Sequence, residues 1–119
     1  MKKNPLEVKK NKYRNIKVEY MGIKFDSIKE RDYYWLLLDR QSKGEIKNLQ
    51  RQVKYTLIPK FQIGSTKERE TSYIADFVYE EGGKEIIVDV KSPITRKDKV
   101  YRLKKKLFEY LYKKEIKEV

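Results

Sequence analysis

The 119-residue sequence contains no cysteine and no histidine. Without cysteine there is no disulfide framework, no thiolate nucleophile and no Cys-ligated zinc or iron–sulfur site. Without histidine, every His-dependent triad, His-ligated metal and imidazole general base is excluded. Any catalysis must run on carboxylates, Lys, Arg, Tyr, Ser or Thr. Any metal must take oxygen ligands, which points to magnesium, manganese or calcium. Long apolar runs are missing too: the longest, Tyr33 to Leu38, is far too short to span a bilayer. The first residues, Met1-Lys2-Lys3-Asn4-Pro5, carry no hydrophobic signal core. These absences lead to the expectation of a soluble, cytoplasmic protein.

What is present is charge and aromatic mass. Thirty basic residues stand against eighteen acidic ones, a net charge of +12, and charged residues make up 40% of the chain. The 39% apolar share, with ten Tyr, four Phe and one Trp, is too rich for a disordered chain. The charge is uneven. Residues 1–17 hold seven basic residues and one acid, residues 91–119 hold eleven and four, and the middle stretch holds twelve and thirteen. A basic periphery around a neutral centre is the footprint of a nucleic-acid binder, or a solubilising lysine-rich surface.

No repeat, Gly/Ser linker or low-complexity block divides the sequence. It reads as a basic flexible arm over residues 1–12 followed by a single domain over 13–119. Alternation predicts a hairpin from Ile16 to Phe25 turning at Met21-Gly22. Ser27 as N-cap, a Ser27…Glu30 capping box and a stop at Gly44 predict a helix. Its inward stripe is Glu30, Tyr33, Tyr34, Leu37, Leu38 and Gln41. Strands follow over Ile46–Gln52 and Val53–Ile58, then a polar loop over Gly64–Glu70. A hairpin of Tyr73–Tyr79 with Glu85–Lys91 comes next. A second helix is predicted over Asp98–Lys113, with Val100, Leu103, Leu107 and Leu111 as its apolar stripe, and Ile116–Val119 as a short edge strand. The expected fold class is α/β, a mixed sheet flanked by helices.

The second hairpin carries the chemistry. If Gly82-Gly83 forms a two-residue type I′ turn, Glu81 pairs with Lys84, and Asp76 stands directly opposite Asp89 on one face. Alternation puts Lys91 on that face as well, with Val88 and Val90 on the other. Facing carboxylates repel and call for compensation by a divalent cation, with Lys91 adding positive charge. A four-residue turn would shift the register, and an Asp at a strand end would be solvated instead. Carboxylates that hold Mg²⁺ beside a lysine suit phosphodiester hydrolysis.

The spacing Asp76-x₁₂-Asp89-x-Lys91 resembles the signature of the PD-(D/E)xK nuclease superfamily, in which a carboxylate on one hairpin strand precedes (D/E)-x-K on the next. Ala75 stands where that signature has proline. The segments Gly22-Ile23-Lys24-Phe25-Asp26-Ser27…Glu30, Ile46…Leu49-Gln50-Arg51-Gln52, Ala75–Tyr79 and Asp89-Val90-Lys91 are similar to small phage- and prophage-encoded members over roughly residues 13–112. The resemblance implies a restriction-endonuclease-like fold and a metal-dependent DNA endonuclease, acting on phage DNA or on branched, Holliday-junction-like DNA. It implies Glu30, Asp76 and Asp89 as ligands of Mg²⁺ or Mn²⁺, the Val90 carbonyl as a further ligand, and Lys91 as the assistant to the attacking water. A homodimer would be needed to cut both strands.

Around that core several residues keep two readings. Glu30 is either the capping-box partner of Ser27 or the helix carboxylate of the site. Gln52 lies either on a solvated strand face or beside the site. Lys104 either snorkels past the core or contacts a phosphate. Arg96, Lys97, Lys99, Arg102 and Lys105 read as a surface for the phosphate backbone. Tyr101 and Tyr112 read either as base-stacking rings or as core. The alternative function is a non-catalytic basic DNA-binding module that keeps the nuclease fold.

Overall fold

The computed structural model describes residues 8–10, 16–20 and 22–119. The arm expected over residues 1–12 lies largely outside these. Within it, Val8–Lys10 form a strand, β1, paired antiparallel with Ile16–Val18. Chain contacts group the molecule into two compact units, Met1–Glu45 and Ile46–Val119.

In the first unit β1, β2 (Ile16–Tyr20) and β3 (Ile23–Phe25) form an antiparallel sheet, and α1 (Ile28–Ser42) follows. The hairpin and the helix lie where the sequence predicts them. Ser27 has extended backbone and its Oγ accepts the Glu30 N–H at 3.0 Å, the first bond of the expected capping box. Gly44, in the left-handed region at φ +76°, ends the helix. Phe25 is buried, with its ring 5.5 Å from that of Tyr34, and Leu37 is buried too. Leu38, expected inward, is exposed.

The second unit is a mixed four-stranded sheet in the order β4 (Lys47–Ile58), β7 (Thr71–Glu81), β8 (Lys84–Asp89) and β9 (Ile116–Glu118). Its first three strands are antiparallel, and β9 runs parallel to β8. The α/β class expected from sequence is what the chain adopts. The two strands predicted around Gln52 are one continuous β4. In place of the predicted loop, β5 (Phe61–Ile63) and β6 (Thr66–Glu68) make a wholly exposed hairpin. A short helix α2 (Pro93–Arg96), capped reciprocally by Ser92 and Thr95, precedes α3 (Lys99–Tyr112).

Helix α3 packs on β4 and β7, and of the predicted stripe Leu107 alone packs against the core. Val100, Leu103 and Leu111 are exposed, and the buried residues are Tyr101 and Phe108. These belong to a core cluster with Leu57, Tyr73, Ala75, Val78, Ile87 and Ile116. The inward face is thus turned by about 100°, one residue's rotation, from the aliphatic one. Aromatics fix that choice because they bury more surface and bring polar handles. Phe108 stacks on Tyr112 at 5.0 Å and meets the edge of Tyr55 at 4.9 Å. The Tyr112 hydroxyl donates to the Thr56 carbonyl at 2.8 Å, and the Tyr101 hydroxyl to Glu118 at 2.7 Å.

Candidate active site

The β7–β8 hairpin has the register expected of a two-residue turn. Glu81 pairs with Lys84, Tyr79 with Ile86 and Phe77 with Val88. Gly82 and Gly83 both have positive φ, +58° and +78°, as a type I′ turn requires. One further step along this register brings Asp76 opposite Asp89. The Val90 N–H donates to Asp76 Oδ2 at 2.8 Å, so the Asp76 carboxylate lies over the end of β8.

Asp89 is buried, 2% exposed, and is held from two sides. The Tyr73 hydroxyl donates to its Oδ2 at 2.7 Å, and Lys91 Nζ lies 3.3 Å from its Oδ1. Burial, with the Asp89 charge and that hydrogen bond behind it, pushes the Tyr73 phenol far above its ordinary range, so it donates throughout the neutral range. The Lys91 ammonium sits 4.2 Å from the centre of the Tyr101 ring. Burial and the bond to Glu118 likewise raise the Tyr101 hydroxyl.

On the other flank of β7, the ladder runs from Arg51↔Phe77 to Val53↔Ala75, which places Gln52 opposite Asp76. Gln52 Nε2 donates to Asp76 Oδ1 in a long bond of 3.4 Å. Gln52 itself has φ +53°, a left-handed conformation that costs a non-glycine residue about 1–2 kcal/mol. Around this point the inward alternation of β7 changes phase, since Tyr73 and Ala75 share a cluster with Val78. Irregularities of this kind re-aim side chains near functional sites.

Asp76, Asp89, Lys91 and Gln52 are therefore brought together. Glu30 is buried on α1 in the other unit, and among the described residues no group of three or more carboxylates is gathered in a ready metal cage. Tyr101, read as a base-stacking ring, is 8% exposed and covered by Lys91, so it has no open face to offer. Tyr112 is likewise engaged, by Phe108 and Thr56. Of the basic residues, Arg96, Lys99, Arg102 and Lys105 line one groove of about 520 Å³ with Lys106, Leu103, Glu109 and Glu118. Lys97 caps α2 and is exposed, while Lys104 is half-buried on α3.

Residues 10–118 match the family model described as "Protein of unknown function (DUF1064)". The chain belongs to this family. No curated protein and no solved structure matches it. The matched stretch takes in every candidate residue, from Glu30 to Lys105. It also takes in two that the sequence reading missed, Tyr73 and Glu118. Their partners lie 16 and 17 residues away, and only the folded sheet and α3 bring them together. No helix among the described residues is long and apolar enough to cross a membrane.

The donor set can be weighed against a divalent cation. Asp76 lies within β7 and the buried Asp89 at the end of β8, with the Lys91 ammonium 3.3 Å from Asp89 Oδ1. Carboxylate oxygens are the ligands that Mg²⁺ and Mn²⁺ take, and each oxygen has lone pairs beyond the bond described. The residues fit such an ion.

Proposed function

We propose that the chain is a divalent-metal-dependent endodeoxyribonuclease of the PD-(D/E)xK type. The observation that supports it most is the Val90 N–H bond to Asp76 Oδ2 at 2.8 Å, which sets Asp76 beside the Asp89-x-Lys91 segment, with Lys91 Nζ 3.3 Å from Asp89. Asp76 and Asp89 would hold Mg²⁺ or Mn²⁺, with the Val90 carbonyl as a further ligand. Bound there, the ion supplies Lewis-acid stabilisation of phosphoryl charge and acidifies a water.

The chain's own groups have separate tasks. The Val90 N–H orients Asp76, and the Tyr73 hydroxyl fixes Asp89. Lys91 presents an ammonium to the attacking water or the phosphate oxygens. The groove of Arg96, Lys99, Arg102 and Lys105 takes the phosphate backbone, and Lys97 and Lys104 are further candidate contacts. The substrate is phage DNA or branched, Holliday-junction-like DNA in the cytoplasm of a bacterial host, and a homodimer serves where both strands are cut.

A second reading has its own support. Both Asp89 oxygens are engaged within the chain, by Tyr73 and Lys91, as in a structural ion pair of a DNA-binding module without turnover. Supercoiled plasmid and a four-way junction, incubated with Mg²⁺, Mn²⁺ or chelator, separate the two. Cleavage that requires metal and is lost in Asp89→Asn and Lys91→Ala is the expected result. Equal DNA binding by wild type and variants, with no substrate cut, overturns the nuclease and leaves the binding module.

A further inference from the structure

The segment that carries Asp89 and Lys91 is gripped from the side by the last strand. Val119 donates its N–H to the Asp89 carbonyl and accepts the Lys91 N–H, both at 3.0 Å. The preceding residue, Glu118, is the ladder partner of Asp89. Its side chain accepts the Tyr101 hydroxyl at 2.7 Å, and the Tyr101 ring carries the Lys91 ammonium at 4.2 Å. One strand thus clamps the backbone of the Asp89-x-Lys91 turn and, through a buried phenol, the end of the lysine side chain.

A lysine left alone is a poor instrument for oriented chemistry. Its charge sits on a flexible four-carbon stem with many rotamers. The Lys91 side chain is only 22% exposed, and its ammonium has an aromatic face on one side and a carboxylate oxygen on another. A tyrosine face attracts a cation strongly where water is largely excluded. The Glu118 bond fixes the ring's position in turn, because it ties the phenol of α3 to β9.

We propose that Tyr101, anchored by Glu118, is a positioning residue that holds Lys91 in its working orientation. It rests on the nuclease reading for its catalytic consequence, and on geometry alone for the contact itself. Tyr101 touches no reacting atom and acts through Lys91. The ring is the part that matters, and the hydroxyl only steadies it.

The test uses the full chain with Tyr101→Phe and Tyr101→Leu, each also made in a Lys91→Ala background. Under single-turnover plasmid cleavage, Tyr101→Leu is expected to lower the rate about 10- to 100-fold, the size of loss that small misplacement of a group produces. DNA affinity should change little, and Tyr101→Phe should keep most of the rate. In the Lys91→Ala background, Tyr101→Leu should have no further effect. An equal loss in both backgrounds, or a Phe variant as impaired as the Leu variant, overturns the proposal.

A second measurement needs no activity and no folded Leu variant. The ε-methylene protons of Lys91, lying over the ring, should resonate upfield of the other lysines in the wild type and in Tyr101→Phe. A Lys91 resonance at the ordinary lysine position overturns the brace whatever the protein cuts. An upfield resonance in a chain that cuts no substrate supports the brace and overturns the nuclease reading, so the two failures are distinguishable.

Discussion

Strand β7 has two neighbours, and they treat it differently. Against β8 it pairs with unbroken register from Glu81↔Lys84 to Phe77↔Val88. Against β4 the register shifts twice, between Lys47 and Gln50 and between Thr56 and Ile58. Asn48 and Gln52 there also take left-handed backbone. The regular flank aligns charged groups by simple alternation, which is why it delivers two carboxylates and a lysine to one place. Between those shifts the register is unbroken from Gln50↔Val78 to Thr56↔Ser72, and it sets Gln52, on left-handed backbone, opposite Asp76. Order on both flanks sets the spacing around Asp76, and on the β4 side it is kept at the cost of strained backbone at Gln52.

The largest effects should come from breaking the chemistry of the regular flank. Asp89→Asn and Lys91→Ala, along with chelation of the metal, should each reduce plasmid cleavage beyond the roughly 100-fold that loss of a metal site's supporting residues costs. Circular dichroism should stay unchanged in Lys91→Ala, whose side chain is partly exposed.

Next comes the geometry of that flank. Gly83 has φ +78° and no atom within 4 Å of where a Cβ would sit, so a substitution there meets conformational cost alone. Gly83→Val should lower unfolding stability by about 1–2 kcal/mol in chemical denaturation, the penalty of left-handed backbone for a residue with a Cβ. Gly82→Asn should be close to neutral, because Asn-Gly is a favoured type I′ pair.

The irregular flank should respond in the opposite sense to glycine. Gln52→Gly removes the bond to Asp76 but relieves the backbone, whereas Gln52→Ala removes the bond and keeps the strain. The glycine variant should be the more stable of the two by about 1 kcal/mol.

The smallest effect at neutral pH, and the sharpest sign, concerns tyrosines packed between α3 and the sheet. Burial raises the phenols of Tyr73 and Tyr101, and pushes Tyr55 up to about 12. A raised folded value favours the neutral form, so the stabilisation is complete below the unfolded value near 10. It is lost as pH rises through the folded values. Unfolding free energy should therefore be flat in these groups below about pH 9 and fall above pH 10. Absorbance titration of phenolate should show these tyrosines ionising late, with unfolding. Ionisation of all ten tyrosines near pH 10 without unfolding would contradict that.

The same contrast explains what the sequence made legible. Gly82-Gly83 dictates a turn, the turn dictates the register, and the register pairs Asp76 with Asp89. That chain of inference uses only neighbours. The cap at Ser27 is local too, and α1 and α3 begin within a residue of where the sequence predicts them. Rotation of α3 was not legible, because aliphatic and aromatic stripes coexist on one helix and only the receiving surface decides between them. The β5–β6 hairpin was missed for another reason. Its strands bury nothing, so they show no inward pattern. Tyr73 and Glu118 carry no local signal, since each acts through a bond closed only by the fold.

The parallel pairing of β8 with β9 has a consequence in time. A two-residue hairpin closes within about 1–10 μs, but a parallel neighbour needs a crossover, here through α2 and α3. On those timescales Asp76 and Asp89 are expected to meet before the ring and glutamate beside Lys91 are in place. The last step is long-range and slow by comparison. Between the two steps, the apposed carboxylates resist the hairpin that brings them together, and a cation present during folding would ease it.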